Sequence, residues 1–220
     1  MEIVKTGDGS LTLFNSEVGE HYHSKHGALQ ESKHVFLGSG LEHFLSKHDQ
    51  KSVSVLEVGF GTGLNYLLTA DYCFLNQITL NYIGIERSPL NLDMIIQTEN
   101  LNYVSTEVGE DFKTHYDGAL KNRTATISGE LTIEVVDVKD YKSDESIDVV
   151  YFDAFAAIHQ PEMWTEDVLN KVCCNLKPGG VFVTYAITGN LKRTMKALGF
   201  NIEKAPGALG KREMLRATKL

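Results

Sequence analysis

Residues 56–64 read Leu56-Glu57-Val58-Gly59-Phe60-Gly61-Thr62-Gly63-Leu64. An apolar strand end gives way to an acid and then to glycines at every second position. The β-branched run Ser52 to Val58 leads in, and Thr62 to Phe74 follows with helical character, so the glycines occupy a strand-to-helix turn. Turns of this kind often cradle phosphate, yet the dinucleotide fingerprint G-x-G-x-x-G fails here. Counted from Gly59 its third position is Leu64, and counted from Gly61 it is Tyr66. The Gly-Lys-Ser/Thr ending of a phosphate-binding loop is missing as well. Glu57 would also oppose a pyrophosphate, because two like unit charges about 4 Å apart repel by roughly 4 kcal/mol at an effective dielectric near 20. A ligand carrying an amine or sulfonium cation and no phosphate reverses that sign.

Outward from this turn, strand and helix signals alternate. Upstream, Leu11 to Phe14 reads as a strand and 19–27 as a polar loop. Val35 to His48 presents the apolar face Val35, Phe36, Leu37, Leu41, Phe44 and Leu45 of a helix. Downstream, Thr79 to Ile85 is a strand ending at Glu86, and Pro89 suits a first helical turn. Thr124 to Ile127 and Leu131 to Val136 flank the hairpin signal Ser128-Gly129. Ile147 to Phe152 is a continuous apolar strand. Helix (Trp164 to Leu176), strand (Val181 to Tyr185) and helix (Leu191 to Leu198) follow, and Phe200 to Glu203 and Glu213 to Thr218 are strands around Pro206-Gly207. This alternation predicts an α/β fold with a mostly parallel sheet covered on both faces. The last strand is antiparallel, because no helix separates the closing pair. One compact unit is expected, with residues 1–50 as an N-terminal segment, 51–220 as the α/β domain, and a hairpin insertion near 122–136. Ligands belong at the carboxyl ends of the strands.

Bulk properties narrow the classes. At 220 residues and 42% hydrophobic content the chain suffices for one soluble α/β domain with a substantial core. No stretch reaches the length of a membrane span, and MEIVKTGDGS lacks the character of a signal peptide. Cys73, Cys173 and Cys174 are odd in number and form no C-x-x-C pair, which predicts a reduced, cytoplasmic setting. Cys173-Cys174 are expected in the core of a helix. Net charge is -8, yet Gly189 to Leu220 carries eight Lys/Arg against Glu203 and Glu213, a local +6 that leaves -14 on the rest. That segment reads either as ordinary solvated surface or as a local nucleic-acid contact. Six of eight histidines precede Asp49, with no cysteine near them in sequence, and no metal site is expected. His21, His23 and His26 read as solvated loop residues.

The spacing of Glu57, Gly59, Gly61 and Gly63 resembles motif I, E-x-G-x-G-x-G, of the Rossmann-like methyltransferases. The resemblance implies S-adenosyl-L-methionine as cofactor and a seven-stranded sheet. The glycines would allow its close approach, with Glu57 near its methionine part. Glu86, ending the second strand, matches the acid that takes the ribose hydroxyls, and Asp137, after Ile133 to Val136, the polar residue beside the adenine.

Asp153 follows the fourth strand, where such enzymes keep the residue that meets the acceptor. A carboxylate there suits an amine, either as base or only by orienting its lone pair. Asp153-Ala154-Phe155-Ala156 followed by Pro161-Glu162-Met163-Trp164, with GALQESKHVFL (27–37) and PGALGKREML (206–215), resembles the MnmC-type methyltransferase domain and its stand-alone MnmD-like form. That resemblance implies a tRNA substrate and conversion of 5-aminomethyl-2-thiouridine to 5-methylaminomethyl-2-thiouridine at the wobble position, with Asp153 catalytic. Tyr22 and Glu31 match an N-terminal segment that closes over the site, and Lys211 and Arg212 match a basic pair expected at phosphate. Phe155 could stack on a splayed-out base, whereas Trp164 and Tyr185 read as core. Two positions depart from the family pattern: Ala157 where proline is usual and Gln160 where asparagine is usual. The chain ends without the flavin-dependent oxidase domain of the bifunctional form, so a separate enzyme is expected to supply the aminomethyl intermediate. A small-amine methyl- or aminopropyltransferase and a non-catalytic RNA-binding relative stay open as alternatives at this point.

Overall fold

The computed structural model describes all residues, 1–220. The chain opens with a small antiparallel sheet of β1 (Glu2–Lys5), β2 (Leu11–Asn15) and β3 (Glu20–His21). A continuous helical run follows, formed by α1 (Ala28–Glu31), a π-helical stretch Ser32–Glu42 and α2 (His43–Leu45). The expected helix over Val35 to His48 is therefore present but starts earlier and is mostly wound wider. Gly40 lies where this run meets the main sheet; a Cβ there would come within 2.8 Å of the Tyr151 ring.

The main sheet contains β4 (Ser52–Val58), β5 (Thr79–Glu86), β6 (Thr124–Thr126), β7 (Gly129–Val135), β8 (Ile147–Phe152), β9 (Leu176–Thr184), β10 (Phe200–Pro206) and β11 (Glu213–Lys219). Their order is β10-β11-β9-β8-β4-β5-β7-β6. Pairs β4/β5, β4/β8, β5/β7 and β8/β9 are parallel, while β11 runs antiparallel to both β9 and β10 as expected. Eight strands replace the expected seven. The addition is three-residue β6, antiparallel to β7, so the hairpin around 122–136 contributes β7 to the sheet itself and only β6 as an extra edge.

Helices α3 (Leu64–Leu75), α4 (Leu92–Gln97), α5 (Thr106–Ala119), α6 (Glu166–Cys173) and α7 (Gly189–Ala197) complete the fold. On β8 every side chain is buried. Val149 and Tyr151 join the core beneath α3 and α5, whereas Val150 and Phe152 join the core on the α6 side. The pleat sends successive residues to opposite faces, so a central strand covered on both is apolar except for Asp148, which is held by the Lys177 ammonium and the Ser54 N–H.

Three expectations change. Helix α5 is absent from the sequence reading, because its many polar residues mask the stripe Val108, Phe112, Tyr116 and Ala119 that it buries. Pro89 precedes its helix, which starts at Leu92 with the Asn91 side chain accepting from the Met94 N–H as cap. Helix α6 ends at Cys173, so Cys173 is buried but Cys174 is exposed. No helix is long and apolar enough to cross a membrane.

Candidate active site

Strand order reverses direction between β4 and β8, and the carboxyl ends of these two strands form the floor of the site. Gly59 leaves β4 at φ 85° and Gly61 follows at φ 52°. Both conformations disfavour side chains. A Cβ on Gly59 would lie 2.6 Å from the Asp153 carbonyl oxygen, and one on Gly61 would lie 2.9 Å from the Tyr22 ring. Gly63, also left-handed, starts α3.

A cleft of about 380 Å³ opens over this turn. Glu86 lies on its wall with both carboxylate oxygens held: Oε2 accepts from the Gly61 N–H at 3.0 Å and Oε1 from the Ser88 N–H at 2.9 Å. Asp137 lies on the cleft wall with its neighbours Val136 and Val138, accepting from the Lys139 N–H, with Arg87 at 3.8 Å. The lining is thus a glycine cradle with Glu86, Asp137 and Asp153 and apolar Val58, Ile85, Phe155 and Met163. Five carboxylates (Glu17, Glu86, Asp137, Asp153 and Glu162) against Arg87 and Lys139 leave the lining acidic, which suits a cation and hydroxyls. The residues fit S-adenosylmethionine.

Glu57 lies elsewhere than expected. Strand alternation places it with Val53 and Val55 on the α3 face, and only 1% of it is exposed. Its Oε2 accepts from the Tyr82 hydroxyl and its Oε1 from the Asn65 side-chain amide, both at 2.8 Å. The cleft wall does not include it. Burial pushes its carboxyl well above the usual range.

Asp153 is half-buried and lines both the cleft and a neighbouring pocket of about 450 Å³. Its Oδ2 accepts from Asn65 at 2.8 Å. Desolvation, reinforced by the Glu31 charge, raises its carboxyl to about 8, with Asn65 and Lys211 opposing the rise. Around it, Tyr22 meets Phe155 edge-on at 5.3 Å between centroids. Three contacts hold the loop that follows Asp153. The Tyr185 hydroxyl donates to the Ala154 carbonyl, the Trp164 indole donates to the Phe155 carbonyl, and the Ala156 N–H donates to Glu20. Trp164 packs on Phe152, but Tyr185 lines the pocket.

Glu31 and Lys211 also meet in this second pocket. The Lys211 ammonium bonds Glu31 Oε1 at 2.5 Å and lies 4.0 Å from the Tyr185 ring centre. Glu31 is buried and also accepts from the Ser24 N–H. Lys211 therefore faces the pocket, whereas its neighbour Arg212 is exposed outside it. The basic pair is split between two environments.

Sequence reasoning missed Asn65, His23 and Glu20. Asn65 directly follows the glycine turn on α3, and only its position in the first helical turn hinted at a role. His23 lines both pockets rather than solvent, and desolvation lowers its imidazole to about 4, so it stays neutral. His34 ties the helical run to the end of β10 through the Pro206 carbonyl. No group of three or more His, Cys, Asp or Glu is placed to hold a metal ion.

Residues 99–220 match the family model described as S-adenosyl-L-methionine-dependent methyltransferase. The tRNA 5-methylaminomethyl-2-thiouridine biosynthesis bifunctional protein MnmC of Leptospira borgpetersenii is 31% identical over 215 residues, 93% of this chain and 33% of that protein. The chain thus spans about a third of the length of the curated relatives it matches. Among solved structures, MnmC2 from Aquifex aeolicus superposes with a TM-score of 0.80 at 24% identity, covering 99% of this chain and 70% of that one. DesVI from Streptomyces venezuelae follows at 0.53 and 13% identity, covering 87% and 93%. Both likenesses concern the fold. The chain belongs to the S-adenosyl-L-methionine-dependent methyltransferases.

Proposed function

We propose that the chain methylates the primary amine of 5-aminomethyl-2-thiouridine at the tRNA wobble position, giving 5-methylaminomethyl-2-thiouridine. The observation that carries this reading is the place of Asp153, an acid shared by the cofactor-sized cleft and the pocket beside it. S-adenosylmethionine supplies a methyl group on a cationic sulfur. Glu86 would hold its ribose hydroxyls and Asp137 its adenine edge, while Gly59 and Gly61 admit it against the backbone. Gly63 sets the start of α3. Glu57 would act on the methionine end only through Asn65 and the field of its charge.

Asp153 would accept an N–H of the acceptor ammonium and take its proton, leaving the lone pair aimed at the cleft. An alkylammonium has a pKa near 10 and an ordinary aspartate near 4, so transfer between them costs roughly 8 kcal/mol. With Asp153 at about 8 the gap narrows to roughly 3 kcal/mol, and with the cofactor's cation holding it at about 5–7 the gap is roughly 4–7 kcal/mol. Lys211 adds no uncompensated positive charge to the pocket, because the Glu31 carboxylate is bonded to it. Tyr22 and Phe155 would flank the base, and the segment 1–50, which supplies Tyr22 and Glu31, would cover the site. Arg212 and the basic C-terminal region would meet tRNA phosphates. The reaction consumes a ready-made aminomethyl group, so another active site supplies it. A cytoplasmic setting accords with a tRNA substrate and three free cysteines.

The test is methyl transfer from labelled S-adenosylmethionine to tRNA carrying 5-aminomethyl-2-thiouridine, followed by nucleoside analysis. Label in methylaminomethyl-thiouridine is expected. Cofactor binding with no transfer to this tRNA would contradict the proposed acceptor.

A further inference from the structure

Asn65 stands in the first turn of α3, just after the glycine turn, and its side chain bridges two acids, Glu57 in the core and Asp153 at the cleft. Nδ2 reaches Glu57 Oε1 and Asp153 Oδ2, each at 2.8 Å. A primary amide carries two N–H donors, and both are committed. Its Oδ1 is buried without a partner. That pairing fixes the amide's orientation, because flipping it would turn an oxygen toward two carboxylates. An unpartnered buried oxygen is a cost the fold accepts to keep the donors on the acids.

We infer that Asn65 is a positioning residue for methyl transfer: it pins one oxygen of Asp153, leaves the other toward the acceptor pocket, and keeps Glu57 from competing for the same space. This rests on the amine-methylating reading above. Tyr82 completes the arrangement from beneath by donating to the second Glu57 oxygen, so the chain Tyr82–Glu57–Asn65–Asp153 runs from the core to the acceptor side. Every oxygen in it except Asp153 Oδ1 and Asn65 Oδ1 has a donor or is one. Asp153 Oδ1 is thereby the one carboxylate oxygen of the chain left for substrate. The titratable groups around Asp153 from other elements are Glu31, Lys211, Glu20, Tyr185, His23 and Glu57, and none of them replaces the Asn65 contact.

The experiment compares wild type with Asn65→Leu, close in size but without donors, and with Glu57→Gln, which keeps the amide contact. The Asp153 carboxyl is followed by carbon-13 NMR titration, its signal identified by its loss in Asp153→Asn, so no acceptor is needed. Loss of one N–H bond to a carboxylate should raise the Asp153 midpoint by about one to two pH units in Asn65→Leu. Glu57→Gln should lower it. With tRNA, Asn65→Leu should reduce kcat about 10- to 100-fold and move the acidic limb of the pH profile upward, while the acceptor KM changes little. Should Asn65→Leu not fold, Asn65→Ser, which lacks the reach, is read in the same way. An Asp153 midpoint unchanged in a folded Asn65 variant overturns the inference. A shifted midpoint with no methylation of aminomethyl-thiouridine by the wild type would instead refute the acceptor assignment and leave the positioning role standing.

Discussion

Loading the cleft with S-adenosylmethionine should expel a proton from Asp153. With its carboxyl at about 8, roughly nine in ten molecules carry that proton at pH 7. An opposite charge within about 4–6 Å lowers a carboxyl by about 1–3 units. The midpoint then falls to about 5–7, and half or fewer of the molecules stay protonated at pH 7. Release of about 0.4–0.9 protons per cofactor follows. The sign is fixed by charge: a cation favours the carboxylate, so affinity should rise with pH from about 5 to 8 and level off above. Calorimetry at pH 7 in buffers of different ionisation enthalpy reads the release as the slope of observed heat against buffer heat. Glu57, also pushed upward by burial, contributes its own share, so the informative quantity is the difference from Asp153→Asn. That variant should release about 0.4–0.9 fewer protons. Equal release by the two proteins would refute the reasoning.

The same carboxyl limits stability. Its folded pKa of about 8 lies above its usual value of 3.8, so its favourable contribution is complete below about pH 4 and is lost as pH rises through 8. Asp153→Asn should therefore raise the apo Tm at pH 9; 1–2 kcal/mol gives about 2–8 °C for a chain of this size, with a smaller gain at pH 5, read by thermal scanning. Gly61→Ala, forced to φ 52° and against Tyr22, should weaken cofactor binding at least about 10-fold by calorimetry, since strain of about 1–3 kcal/mol adds to a displaced Tyr22. Lys211→Met leaves Glu31 buried without its ion-pair partner and should cost about 1–3 kcal/mol in denaturant unfolding while raising the acceptor KM with cofactor affinity retained.

Much of the site was legible because a parallel sheet collects the carboxyl ends of its strands at one edge. Glu86, Asp137 and Asp153 each end a strand, and the glycine turn ends another, so local signals sufficed to bring them together. Glu57 shows where that logic needs one more step. It precedes the turn by two residues and shares its parity with Val53 and Val55, so the pleat carries it under α3 and away from the cleft. Asn65, Glu20 and His23 act through contacts between elements far apart in the chain, such as Glu20 with Ala156, and no spacing rule reports those. Lys211 illustrates the same limit: a basic residue beside Arg212 looks like phosphate chemistry until Glu31, 180 positions away, is found to hold it. The eighth strand and α5 were obscured for a different reason. β6 is three residues long, and α5 buries a narrow stripe amid charged side chains, so tertiary packing rather than composition fixes both.

Asp153 serves the acceptor amine in the chemical step, beyond its electrostatic coupling to the cofactor. Single-turnover methyl transfer to tRNA carrying 5-aminomethyl-2-thiouridine, at saturating S-adenosylmethionine, compares wild type with Asp153→Asn. The account predicts a rate about 10²–10⁴-fold lower in the variant, in the range of lost acid–base catalysis, while cofactor affinity at pH 5, where the acid of the free protein is neutral as asparagine is, stays within about 10-fold. A variant that methylates at the wild-type rate would contradict it.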